Sequence, residues 1–221
     1  MTSETTSPEL EKLHDLLHCE ESERDEQWES EFLKVFSHSR LSILNEEPKG
    51  GPDGWPYLLV VTDPEGSEPC TRVLEWLSDK GIGLVVNPQK TIPDYVFTYG
   101  MIWNFKQRGQ FLTPEEQIRP GQIKFEANEK VMAGPATEDY LPLYVRAILR
   151  EFFRQQKVMN PKYLIMGRED RGYDFCFSVE SLGNPPKTEY RGLLESIAWF
   201  LPAHYSVVLI SEKGLPPFHA F

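Results

Sequence analysis

The sequence predicts an α+β protein made of two mixed α/β modules, each a small sheet packed by helices, with an acidic helical arm at the N-terminus. Three observations point there. Short apolar runs of strand character, such as YLLVV at 57–61 and YDFCFSVE at 173–180, alternate with stretches in which apolar residues recur at helical spacing. The order helix, strand, strand, helix, strand occurs twice, over 24–87 and 138–211, without a residue-level repeat. Chain breakers and polar residues gather in 106–135, so the division is drawn as an N-terminal domain with its arm at 1–122 and a C-terminal domain at 123–221.

The elements run in order from the N-terminus. Leu10, Leu13, Leu16 and Leu17 define an amphipathic helix over 8–20, with Pro8 near its start. A second helix places Trp28, Phe32, Leu33, Val35 and Phe36 on one side. RLSIL at 40–44 reads as a strand, NEEPKGGPDG at 45–54 as a loop, WPYLLVVT at 55–62 as a buried strand and DPEGSEP at 63–69 as a turn. CTRVLEWLSDKG at 70–81 is a helix closed by Gly81, followed by the strand IGLVVN at 82–87. In YVFTYGMIWNF at 95–105 every odd position is large, which is period two and predicts a strand; Pro93 and the acid after it leave open a short helix before Gly100.

A loop-rich connection covers 106–122, and 123–134 fits a short hairpin around Ala127–Asn128. Leu141, Tyr144, Val145, Ile148, Leu149, Phe152 and Phe153 form the stripe of a long helix over 138–157, with Pro142 tolerated in its first turn. Strands come next at 162–167 and 173–180. A helix runs from 189 to about 200, with Thr188 as its N-cap and Pro202 as its stop, and the last strand is 205–211. The tail EKGLPPFHAF reads as irregular.

This series of segments resembles a known family. An acidic helix pair is followed by DGWPYLLVVTD, a helix, GIGLVVNPQKT and YGMIWNF, then by MAGPATEDYLPLYVRAILREF, VMNPKYLIMG and a closing LPPFHAF. From about residue 8 to 221 the chain is similar to the bacterial enhanced-serine-sensitivity (SseB-like) proteins. The resemblance implies a bacterial, cytoplasmic, two-domain protein. The family's name records a gene-dosage effect on tolerance of serine, so the resemblance transfers no active site.

Composition narrows the function classes. With 40% hydrophobic residues, the 221-residue chain buries a core without a disulfide scaffold. No apolar run reaches bilayer-spanning length, and MTSETTSPELEKL lacks the basic and apolar regions of a secretion leader. Three cysteines in no zinc spacing fit a reducing cytoplasm. The net charge of −11 is uneven: residues 1–31 carry 11 acids against two bases, whereas 138–221 carry ten of each. A basic footprint for nucleic acid is absent.

Several motifs bear on chemistry. HDLLH at 14–18 is one methylene short of the zinc-protease signature. Asp15 is too short for the general base, and no third ligand occurs downstream in pattern, so no metal site is expected. Cys70 follows Pro69 at a predicted helix start, where a thiol pKa falls, but its helix is apolar and its environment lacks the cradle a thiol transferase needs. No glycine-rich phosphate loop and no nucleophile elbow occurs.

Two candidate binding surfaces remain. Tyr95, Tyr99 and Trp103 (with Phe97) could line a groove for a protein partner, against a core reading that carries more weight. Arg146, Arg150 and Arg154, four apart, draw a basic line along the long helix, fit to receive an acidic partner or the chain's own arm. The expected function is therefore that of a non-enzymatic cytoplasmic protein-binding or regulatory protein without a cofactor, with self-association left open. The alternatives are a thiol-dependent transferase through Cys70, a metal hydrolase through His14 and His18, and an immunity or antitoxin protein.

Overall fold

Two sheets organise the chain. The computed structural model describes residues 8–113, 131–168 and 172–221, and the fold divides into two units, Met1–Phe111 and Leu112–Phe221. The expected domain boundary at 122/123 lies outside the described residues, as does most of the expected hairpin at 123–134.

In the first unit, β1 (Arg40–Ile43), β2 (Lys49–Gly50), β3 (Pro56–Thr62), β4 (Glu68–Pro69), β5 (Gly83–Val86) and β6 (Tyr95–Phe97) form a six-stranded sheet. Its order is β4-β1-β3-β5-β6, with β2 beside β3. Only β3 and β5 run parallel. A parallel pair needs a crossover connection, which α3 (Cys70–Leu77) supplies. The other helices are α1 (Pro8–His18), α2 (Glu26–Phe36) and α4 (Tyr99–Arg108). Asp25 caps α2 by accepting from the Trp28 amide at 2.8 Å.

In the second unit, β7 (Val131–Gly134), β8 (Lys162–Arg168), β9 (Gly172–Ser178), β10 (Ser206–Ile210) and β11 (His219–Ala220) form a sheet of order β10-β9-β8-β11, with β7 also beside β8. The parallel pair here is β9 and β10, joined through α6 (Tyr190–Ala198); α5 (Leu143–Gln155) precedes the sheet core. The two units thus repeat one path. Helix, antiparallel strand pair, crossover helix and parallel strand occur as α2-β1-β3-α3-β5 and again as α5-β8-β9-α6-β10.

The expected strand over 95–105 is corrected. Only Tyr95–Phe97 is extended, and neither a long strand nor a helix before Gly100 forms. Thr98 ends the strand and caps α4 by accepting from the Met101 amide at 3.3 Å, and Gly109, at φ 68°, closes that helix in the left-handed region. Residues Tyr99 to Asn104 are all buried. A helix buried all round its first turns has no polar face, so its helical period is invisible in the sequence. Thr188 does not cap α6 either; it lies within a short 3₁₀ turn at Lys187–Glu189, and α6 starts without a side-chain cap. Within the expected loop at 45–54, turn at 63–69 and irregular tail, β2, β4 and β11 add two residues each to sheet edges.

The two cores differ in how the sheets are covered. In the first sheet the fully buried residues Leu41, Leu58, Val60, Leu84, Val86 and Phe97 share one side. There Phe32 and Phe36 of α2 meet Tyr95 and Phe97, with ring centroids 5.1 and 4.9 Å apart. In the second sheet both sides are buried. Tyr163, Ile165, Phe175 and Phe177 lie on one side, where Phe153 of α5 and Phe221 approach Phe177. Leu164, Met166 and Cys176 lie on the other, joined by Val208, Ile210, Leu215 and Phe218.

Candidate functional site

The most concentrated polar chemistry in the first unit surrounds Asp94. Its side chain is 1% exposed, in the turn just before β6. Arg24 reaches it through Nη2 at 2.8 Å, Lys90 through Nζ at 2.7 Å, and the Asn87 amide donates to Oδ2 at 2.7 Å. Desolvation pulls the Asp94 pKa up, but the hydrogen bonds from Lys90, Arg24 and Asn87 outweigh it and hold the carboxyl below its ordinary value. Asn87, at φ 54° just beyond β5, also accepts from the Thr62 amide at 3.0 Å and so ties the ends of the parallel strands together. Every donor around Asp94 is engaged with it. Arg24 donates besides to the carbonyls of Leu17, Cys19 and Asp94, and Lys90 to that of Leu17. This arrangement anchors the end of α1 to the sheet; it is a structural hub. Sequence reasoning missed it, although one signal was present: an acid wedged between Pro93 and an apolar strand, with a lysine four residues before it.

The acidic arm therefore belongs to the first unit. The Trp28 indole donates to the Leu16 carbonyl at 2.9 Å and Lys12 pairs with Glu31 at 2.8 Å, joining α1 to α2. Leu13 of the arm's apolar stripe and Arg24 are committed here.

HDLLH sits on α1 with His14 and His18 both exposed. The rings stack at 4.1 Å, and the His18 Nδ1 lies 2.8 Å from the His14 carbonyl. Among the described residues no group of three or more His, Cys, Asp or Glu is placed to hold a metal.

Cys70 begins α3, as expected, but is fully buried, and burial pushes its thiol up to about 12, outweighing the lowering influence of the neighbouring Ser39 hydroxyl. The benefit of a helix start is overcome by desolvation of the thiolate. Cys176 is also fully buried. Cys19 is partly exposed, and partial desolvation together with the Glu23 carboxylate raises its pKa.

The aromatic groove is corrected. Tyr99 and Trp103 are fully buried, with the Tyr99 hydroxyl donating to the Ser78 carbonyl, and Tyr95 is half-buried with its hydroxyl on Glu29. These rings are core. The basic line on α5 is only partly a free surface. Arg146 donates to the carbonyls of Leu141 and Ala136 at 2.9 Å each, holding the loop before the helix. Arg154 forms a two-pronged pair with Glu151 at 2.7 and 2.8 Å. An acid thus lies within the line, and Arg150 is the member without such a partner among the described contacts.

One apolar row on the first unit is open at its two ends. The register aligns Leu59 with Val85 and Val85 with Val96, and the Leu44 amide donates to the Leu59 carbonyl, which puts Leu44 opposite Leu59. The row Leu44, Leu59, Val85, Val96 crosses four strand positions on the side of the sheet opposite Phe97. Leu44 is 45% and Val96 44% exposed, Leu59 is half-buried and Val85 is buried, so the row is open at its two ends. A small cleft of about 80 Å³ under α1 is lined by Leu13, His14, Ser39, Arg40 and Asp63. Arg40 is occupied there by the carbonyls of Gly66 and Ser67, and Asp63 by Ser42.

No protein-family model matches the chain, and no curated protein or solved structure matches it. Among the described residues no helix is long and apolar enough to cross a membrane.

Proposed function

We propose that this chain is a non-enzymatic cytoplasmic protein-binding or regulatory protein, of the kind the SseB-like resemblance implies, which receives an apolar surface of a partner protein on its first sheet. The observation that carries this reading is the row Leu44, Leu59, Val85, Val96. It bears no charge, and its two ends are nearly half exposed. An exposed apolar strip flanked by polar residues marks a protein interaction site. Thiol transfer through Cys70 is disfavoured by the same side chain that suggested it: a fully buried thiol with a raised pKa supplies no nucleophile at neutral pH.

The test is affinity capture from cells with the wild-type chain, Val96→Asp and Leu44→Asp. Both positions are exposed, so thermal unfolding should not move. A partner retained by the wild type and lost with either variant supports the reading. Equal recovery with all three would refute it.

A further inference from the structure

Strand β10 ends the second sheet. All five of its residues, Ser206, Val207, Val208, Leu209 and Ile210, are half-buried, and none is charged or a proline. Exposed sheet edges are normally blunted by charge, proline, bulges or brevity, because their free amides and carbonyls template pairing with another chain. The terminal strands of the first sheet follow that practice: β4 is two residues long and carries Glu68 and Pro69, and β6 is three residues long and turns at once into α4. Among the described residues no strand pairs with the outer edge of β10.

The ladder shows which groups point outward. The Val179 amide donates to the Ile210 carbonyl, and Ser178 is the register partner of Ile210. In a parallel pair, alternate residues direct both their N–H and C=O groups to the neighbouring strand. Ile210, Val208 and Ser206 therefore face β9, and Val207 and Leu209 present their N–H and C=O groups to the open edge. These two lie symmetrically about Val208.

We infer that β10 pairs antiparallel with β10 of a second copy of this chain, about a two-fold axis through Val208. Val207 then opposes Leu209 of the other copy, and Leu209 opposes its Val207. Each opposed pair exchanges two backbone hydrogen bonds, so the axis closes with four and leaves no outward group of these residues unpaired. An antiparallel strand pair is self-complementary under a two-fold, as a closed dimer requires.

The first unit supplies the template. There the equivalent strand β5 has an antiparallel neighbour on this edge, with Leu84 opposite Phe97 and Val86 opposite Tyr95, and all four residues of β5 are buried. Charge does not oppose the approach: 138–221 holds ten acids and ten bases, and the excess of acid lies in residues 1–31. Leu193 and Leu194, half-buried on α6 beside β10, widen the apolar strip. A contact this short makes a weak, reversible dimer. The inference is independent of the surface on the first sheet.

Sedimentation equilibrium of the full chain across a wide concentration range tests it. The wild type should move from monomer to dimer, and Val207→Pro should stay monomeric with an unchanged far-ultraviolet spectrum. A proline there removes an outward N–H and leaves the ladder to β9 intact. A wild type that stays monomeric throughout overturns the inference, and so does a dimer that survives in folded Val207→Pro. Should that variant not fold, hydrogen exchange of the wild type decides. Val207 and Leu209 amides protected at high concentration and fast at low concentration support the pairing; rates independent of concentration overturn it.

Discussion

The two units share one path through space but leave different parts of it open. In the first, β6 closes the edge beside β5, and one side of the sheet keeps the half-open row from Leu44 to Val96. In the second, both sides of the sheet are buried, and the opening is the edge of β10. A face left open offers side chains, so it selects partners by apolar shape. An edge left open offers backbone groups, so it selects an extended strand. The same order of elements therefore yields two kinds of recognition, decided by the segment that comes after the parallel strand. Beyond β5 the chain adds β6 and α4; beyond β10 it returns through Leu215 and Phe218 to cover a face and pairs β11 with β8.

The comparison breaks most readily at Asp94, whose side chain is 1% exposed; at the matching strand ends of the second unit Glu212 accepts from Ser178 and pairs with Lys162, but its side chain is 30% exposed. Asp94→Ala leaves Arg24 without its buried partner, and breaking such a pair should cost about 3 kcal/mol. Hydrogen exchange should accelerate across β5, β6 and α2 and stay unchanged across β8–β10. The pH dependence has a definite sign. Because the folded-state pKa of Asp94 is depressed, its contribution is complete above the ordinary carboxylate range and is lost as pH falls through the folded value. Asp94→Asn should flatten that acid limb in a series of denaturant midpoints.

Sheet coverage is tested by a matched pair of truncations. Leu164→Ala empties a fully buried site between layers and should cost about 2–5 kcal/mol. Leu59→Ala, on the half-open side of the first sheet, should cost about 1 kcal/mol, since part of its surface already meets water. Equal losses in denaturant titrations would mean that the two sheets are covered alike.

The cysteines sharpen the comparison without changing stability. Cys70 reports on the first unit and Cys176 on the second, and both are fully buried. In pulsed thiol labelling read by mass spectrometry, Cys19 should react first. Cys70 and Cys176 should react later, only as their own units open. With Asp94→Ala, Cys70 should accelerate and Cys176 should not.

The smallest effect is expected on α5. Arg146→Ala removes three-point support for the loop at 136–141 and should cost about 1 kcal/mol. Arg150→Ala should leave the unfolding midpoint in place. Similar losses at both positions would restore the reading of a uniform basic line.

What the sequence determined by itself is the class of fold and most of its parts. Alternation in YDFCFSVE and the four-residue rhythm of Trp28, Phe32 and Phe36 are local signals, because burial of one face imposes a period on the residues that carry it. The repeated order of helices and strands was legible for the same reason. Three things were decided only by tertiary structure. Tyr99 to Asn104 are buried on all sides, so no period marked α4. The strands β2, β4 and β11 exist because a neighbouring strand offers them hydrogen bonds, and two residues carry no pattern of their own. Asp94 owes its role to Arg24, 70 residues away, and Arg146 owes its role to carbonyls that only the fold brings within reach. Charge and hydrogen bonding act between groups close in space, and proximity of that kind is a property of the folded chain.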